Sequence, residues 1–135
     1  MSRTARYAWI LVLLIPAGCT RDEQYLEVFR EQRANFKEMG DILASVKDDD
    51  SMAAAKVKLE ERRPHFDATA RKASALPRPL PAEVARRFEE EKYLMTSFLE
   101  RMQTQMKRIR GLKGGEEFIT YFESNAPGLM SAVKQ

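Results

Sequence analysis

Few side chains in this sequence are equipped for chemistry, and their spacing narrows what they can do. There is one histidine, His65, and one cysteine, Cys19, among 135 residues. Thiol–imidazole catalysis and thiolate metal sites need partners that this inventory lacks. No C-x-x-C-H haem attachment, Gly-rich phosphate loop or G-x-S-x-G elbow occurs. Glutamates are abundant, but no Glu-x-x-His pair accompanies them, so the di-iron bundle pattern is missing. His65 follows Pro64 and has no second histidine to join it, which reads as a helix-surface residue. Asp48, Asp49 and Asp50 lack the later ligands and the glycine of a calcium loop, and aspartates favour turns and helix N-termini. Met95, Met102 and Met106 carry soft thioethers suited to copper(I), which makes a copper or small-ligand carrier the alternative reading. They share the core-facing stripe of one helix, however, where methionine fills irregular gaps. The chain reads as non-enzymatic and free of cofactors, with no metal site.

Cys19 takes its meaning from what precedes it. Arg3 and Arg6 are followed by an apolar run from Tyr7 to Ile15 and then by Pro16-Ala17-Gly18-Cys19. A basic start, a short apolar run and small residues make an export signal, and the run is too short to span ~30 Å of hydrocarbon. The stretch resembles the bacterial lipoprotein signal, in which small residues precede a cysteine that receives lipid and becomes the new N-terminus. Ala17, Gly18 and Cys19 fit that pattern, whereas Pro16 stands where the family usually carries Leu or another aliphatic residue. The resemblance implies that residues 1–18 are removed, that Cys19 carries the lipid (palmitate included), and that the protein is membrane-anchored. It also accounts for a solitary cysteine, which cannot form an intrachain disulfide. Thr20 follows Cys19 in place of the Asp associated with inner-membrane retention in enterobacteria. Outer-membrane placement facing the periplasm is the implied address, with the inner membrane as the alternative.

Residues 19–135 are enough for one domain with a modest core. Losing Arg3 and Arg6 takes the 23 basic residues to 21, against 20 acidic ones. Such a balance supplies no concentrated positive surface for phosphates, so nucleic acid is not an expected partner. Charged residues make up 32% of the chain and hydrophobic ones 44%, with long stretches free of proline. That composition predicts an all-α fold.

The elements follow from periodicity and punctuation. Thr20 and Glu23 have capping-box spacing, and Tyr25, Phe29, Phe36, Met39, Leu43 and Val46 recur at helical steps, predicting a helix from Arg21 to Lys47. Ser51 opens a second helix, with Met52, Ala55, Leu59, Phe66, Ala70, Ala73 and Leu76 on one face. Pro64 lacks a backbone donor and clashes with the preceding turn, so a kink or break is expected near residues 60–63. Pro77, Pro79 and Pro81 form a stiff corner, and Pro81 can start the next helix. A third helix over Ala82–Leu112 carries a heptad-like, coiled-coil seam of Val84, Phe88, Met95, Phe98, Met102 and Ile109. Gly114-Gly115 turns the chain into a short amphipathic helix containing Phe118 and Phe122, broken at Asn125-Ala126-Pro127-Gly128.

The expected architecture is an antiparallel helical bundle of three long helices plus a short C-terminal helix. Its expected core is Phe29, Phe36, Leu43, Leu59, Phe66, Phe88, Met95, Phe98, Met102 and Ile109. Cys19, Ile42-Leu43-Ala44-Ser45-Val46-Lys47-Asp48, Ala53-Ala54-Ala55, the proline corner and Arg86-Arg87-Phe88-Glu89 together resemble small uncharacterised helical lipoproteins of planctomycete-type bacteria. That resemblance implies fold and address and brings no activity with it. The expected role is a membrane-anchored binding or scaffolding module for another envelope protein or for its own copies. Phe118, Phe122, Leu129 and Met130, on the least firmly held apolar segment, are the candidate partner surface, with a simple core lid as the competing reading. The end nearest the bilayer should hold the start of the first helix and the proline corner.

Overall fold

The computed structural model describes residues 21–126. Four helices follow one another: α1 (Arg21–Ala44), α2 (Asp49–Ala75), α3 (Ala82–Arg110) and α4 (Gly115–Asn125). Each runs antiparallel to the one before, giving an all-α bundle of three long helices and a short fourth. Thr20 of the expected capping box lies outside the described residues. Cross-links fix the register: Glu31 pairs with Lys72 and Glu38 with Arg62, whereas Arg33 pairs with Glu91 and Asp41 with Arg101. The order falls along α2 and rises along α3, so α1 and α3 are parallel. α1 packs against both α2 and α3, which scarcely touch each other.

α1 ends at Ala44, three residues before the expected Lys47. The amides of Lys47 and Asp48 are engaged elsewhere: the Ser51 hydroxyl oxygen accepts from both, at 2.7 and 2.9 Å. Asp48 Oδ1 in turn accepts from the Ser51 amide at 2.9 Å. Asp48 is therefore the N-cap of α2, and Ser51 is the third residue inside it rather than its opening residue. Val46 lies beyond the helix and is nevertheless fully enclosed in the core.

The expected break at Pro64 does not occur, and α2 is one helix from Asp49 to Ala75. Pro64 and Glu60 are both exposed, so the Glu60 carbonyl that loses its intrahelical donor lies on the solvent side. The proline corner joins α2 to α3 through a cis Arg78–Pro79 peptide. Tyr25 donates its hydroxyl to the Pro77 carbonyl at 2.9 Å and ties that corner to α1. Tyr25, Leu26, Phe29 and Val84 form a small core there, with Leu76, Leu80 and Phe88 against it.

The larger core occupies the distal half. Phe36, Met39, Leu43, Met52, Leu59, Met102, Met106 and Ile109 meet Phe118, Ile119 and Phe122 of α4. An 11-residue helix is marginal alone in water, and burying each of those three α4 side chains contributes about 1.5–3 kcal/mol. Packing therefore makes α4 helical. Gly114 has φ 75°, and a Cβ on Gly115 would sit 1.7 Å from the Ile109 carbonyl oxygen. Both glycines are required where α4 folds back onto the end of α3.

The corner end holds the start of α1, the prolines and the start of α3, while the Asp48–Asp50 turn and Gly114 lie together at the opposite end. Phe66, Phe88, Met95 and Phe98, expected in the core, are only half-buried.

Candidate functional site

The half-buried residues share a cause. α4 packs on α2 and α3 at the distal end, covering Met102, Met106 and Ile109. Met95 and Leu99 belong to the same stripe of α3 but lie past the reach of the 11-residue α4. Between the distal and corner cores a groove remains, about 420 Å3 including its open mouth. Its apolar lining comes from Phe36 and Met39 of α1 and from Phe66 and Ala70 of α2. Asn125 and Ala126, where α4 ends, form its distal wall.

Two amides complete the lining. Gln32 and Asn35 project from α1 between the aromatic positions Phe29 and Phe36. Asn35 is only 6% exposed, yet among the described residues neither amide has a side-chain hydrogen-bond partner. Gln32 is half-buried, and both amides keep contact with solvent on the open side of the groove, where water can pair them. The neighbouring Thr69 differs, since its hydroxyl donates to the His65 carbonyl at 3.2 Å.

A second feature lies on the outer surface of α3. Tyr93 is 76% exposed and Leu94 44% exposed, with half-buried Phe98 one turn beyond Leu94. Arg86, Glu83 and Glu90 form an ion-pair chain about one to three turns earlier on the same helix.

The electrostatics support structure at three places. The hydrogen bond from Arg86 holds the Glu83 carboxyl at about 2, and Arg87 adds to it. The Ser51 amide and hydroxyl lower Asp48. Burial raises the Tyr121 phenol, helped by the hydrogen bond it donates to Glu60 at 2.8 Å. None of these shifts brings a group toward neutral pH, where general acid–base catalysis works best.

The residues singled out in the sequence are not brought together. His65 is exposed beside the Phe66 ring, 6.4 Å between centroids. Met102 and Met106 are buried among the distal core residues, and Met95 is half-buried, so the thioethers act in packing. Asp48 is a cap, with Asp49 and Asp50 in the first turn of α2. Among the described residues, no group of three or more His, Cys, Asp or Glu side chains is placed to hold a metal ion, and no helix is long and apolar enough to cross a membrane.

The expected partner surface divides. Phe118 and Phe122 are 1% and 0% exposed, so packing of α4 on α2 and α3 within the distal core replaces the surface role expected of them. Leu129, Met130 and Cys19 lie outside the described residues. Gln32 and Asn35 went unnoticed in the sequence, although polar residues on the inward side of an apolar stripe were a visible signal. Comparison with protein-family models, curated proteins and solved structures finds no match for this chain.

Proposed function

We propose that this chain is a lipid-anchored, non-enzymatic binding or scaffolding module of the cell envelope, held through Cys19 at the outer membrane and facing the periplasm. The observation that carries the binding reading is the exposed Tyr93–Leu94 pair on α3. An aromatic and an aliphatic side chain on a rigid helix, beside charged residues, have the composition of an interface anchor with a polar rim. Arg21, the first described residue of α1, lies two positions after Cys19, so a lipid on Cys19 would keep the corner end of the bundle near the bilayer. The outer face of α3 then stands off the membrane surface, available to a neighbouring envelope protein. This agrees with the helical lipoproteins that the sequence resembles.

Two experiments test the reading. Mass spectrometry of the mature N-terminus should find an acylated Cys19, and Cys19→Ser should leave the membrane fraction. Detergent-solubilised envelope passed over the wild-type protein and over a Tyr93→Glu/Leu94→Glu variant should yield a protein retained only by the wild type. An unacylated, soluble wild-type protein overturns the anchor, and identical retention by the two proteins overturns the interface.

A further inference from the structure

We propose that a cleft between the first halves of α1 and α3 binds a zwitterionic phospholipid headgroup, one that carries a phosphate diester and a primary ammonium. The cleft has a volume of about 200 Å3 and is lined by Leu26 and Arg30 of α1 and by Arg87, Glu90 and Glu91 of α3. Leu26 is buried and supplies an apolar wall, while both signs of charge border the space. A simple anion would be drawn by Arg30 and Arg87 and opposed by Glu90 and Glu91, and a simple cation would meet the reverse conflict. A ligand with both charges a few bonds apart satisfies both pairs.

The charged groups are available to such a ligand. Arg30 is exposed and, among the described residues, has no ion-pair or hydrogen-bond partner. Arg87 donates to Glu83 at 3.2 Å and Arg86 to Glu90 at 2.7 Å, and these four side chains are about half-exposed or more. Exposed pairs of this kind contribute little and exchange readily. Glu91 is held by Arg33 across the helix pair, which leaves Glu90 as the carboxylate that can turn to an ammonium. The guanidinium groups of Arg30 and Arg87 match phosphate oxygens, and ammonium N–H groups donate to the Glu90 carboxylate.

Position supplies the lipid. Arg30 is the tenth residue of α1 and Arg87 the sixth of α3, and these parallel helices both start at the corner end. Helical side chains incline toward the N-terminus, so both arginines lean toward that end. A lipid on Cys19 would keep the same end near the bilayer. The lipid source therefore rests on the proposed anchor, whereas the charge pattern of the cleft does not.

Native mass spectrometry of the wild-type protein in detergent reads lipid adducts and the acyl mass on Cys19 in one spectrum, so failure of the anchor and failure of the cleft are told apart. Phosphatidylethanolamine should be retained at concentrations about tenfold below those needed for phosphatidylcholine, whose nitrogen has no N–H to donate, or for phosphatidylglycerol, which has no ammonium. Arg30→Gln should weaken that retention about tenfold, and Glu90→Gln should erase the preference over phosphatidylglycerol. Both positions are exposed, so neither change disturbs the core. Equal retention of the three lipids overturns the proposal, as does retention that neither variant alters. Glycerophosphoethanolamine bound as tightly as the phospholipid would assign the cleft to a soluble ligand and overturn the lipid assignment.

Discussion

Arg108 of α3 donates from Nη2 to the carbonyl oxygen of Leu43 at 3.1 Å, joining the C-terminal ends of two parallel helices. α1 has no basic residue in its last turn, whereas α3 has Lys107, Arg108 and Arg110. Parallel packing places two negative dipole ends side by side, and Arg108 supplies the missing positive charge along with a donor. Arg108→Met should therefore destabilise the bundle by about 1–2 kcal/mol. Thermal unfolding followed by circular dichroism measures it, and an unchanged Tm would show that the contact is idle.

Core truncations should grade with burial rather than with side-chain type. Phe122 is fully enclosed, and Phe122→Ala should cost about 3–5 kcal/mol. Phe98 is half-buried, so Phe98→Ala should cost roughly half as much. Denaturant unfolding of both variants checks the order, and a larger loss at Phe98 would contradict the placement of α4.

The stripes along α1 and α3 and the proline corner were readable because they depend on local spacing and on the missing proline amide. Pro64 does not break α2, because the cost of a helix-internal proline depends on whether the Glu60 carbonyl meets solvent, a tertiary fact. The pairing was also out of reach: a stripe says which face is buried, not which helix covers it. Nothing in the periodicity of Val84 to Ile109 shows that α3 packs on α1 rather than on the adjacent α2. The groove was half-legible, since Gln32 and Asn35 interrupt the inward face of α1, but its existence follows from where the 11-residue α4 stops.

Acid should weaken the start of α2. The folded Asp48 carboxyl is lowered from 3.8 by the Ser51 amide and hydroxyl. Its stabilisation is therefore present above the unfolded value and lost as pH falls from 3.8 through the folded value. Glu83, lowered from 4.5 to about 2, acts with the same sign over 4.5 to 2 at the start of α3. Asp48→Ala should lower Tm at pH 7 and flatten the loss of stability on acidification below pH 4. An acid slope equal to that of the wild type would contradict the role of the cap.

Tyr121 offers a spectroscopic check on the α2–α4 contact. Its phenol is raised above 10.0 by burial first and by the Glu60 hydrogen bond second, so the associated stabilisation is present below pH 10 and lost as pH rises through the folded value. Ultraviolet titration should show Tyr121 ionising above the usual tyrosine range. Glu60→Gln should move that tyrosine back toward 10 without abolishing the shift, since burial remains. No change on Glu60→Gln would place the hydroxyl elsewhere.

The most direct measurement for the proposed role is site-specific photocrosslinking in the intact envelope, with a photoreactive residue at Tyr93 and, as control, at exposed Lys58 of α2. Our account predicts a discrete adduct with another envelope protein at position 93, absent at position 58 and lost when Cys19→Ser frees the protein from the membrane. The same adducts at both positions, or none at position 93, would contradict it.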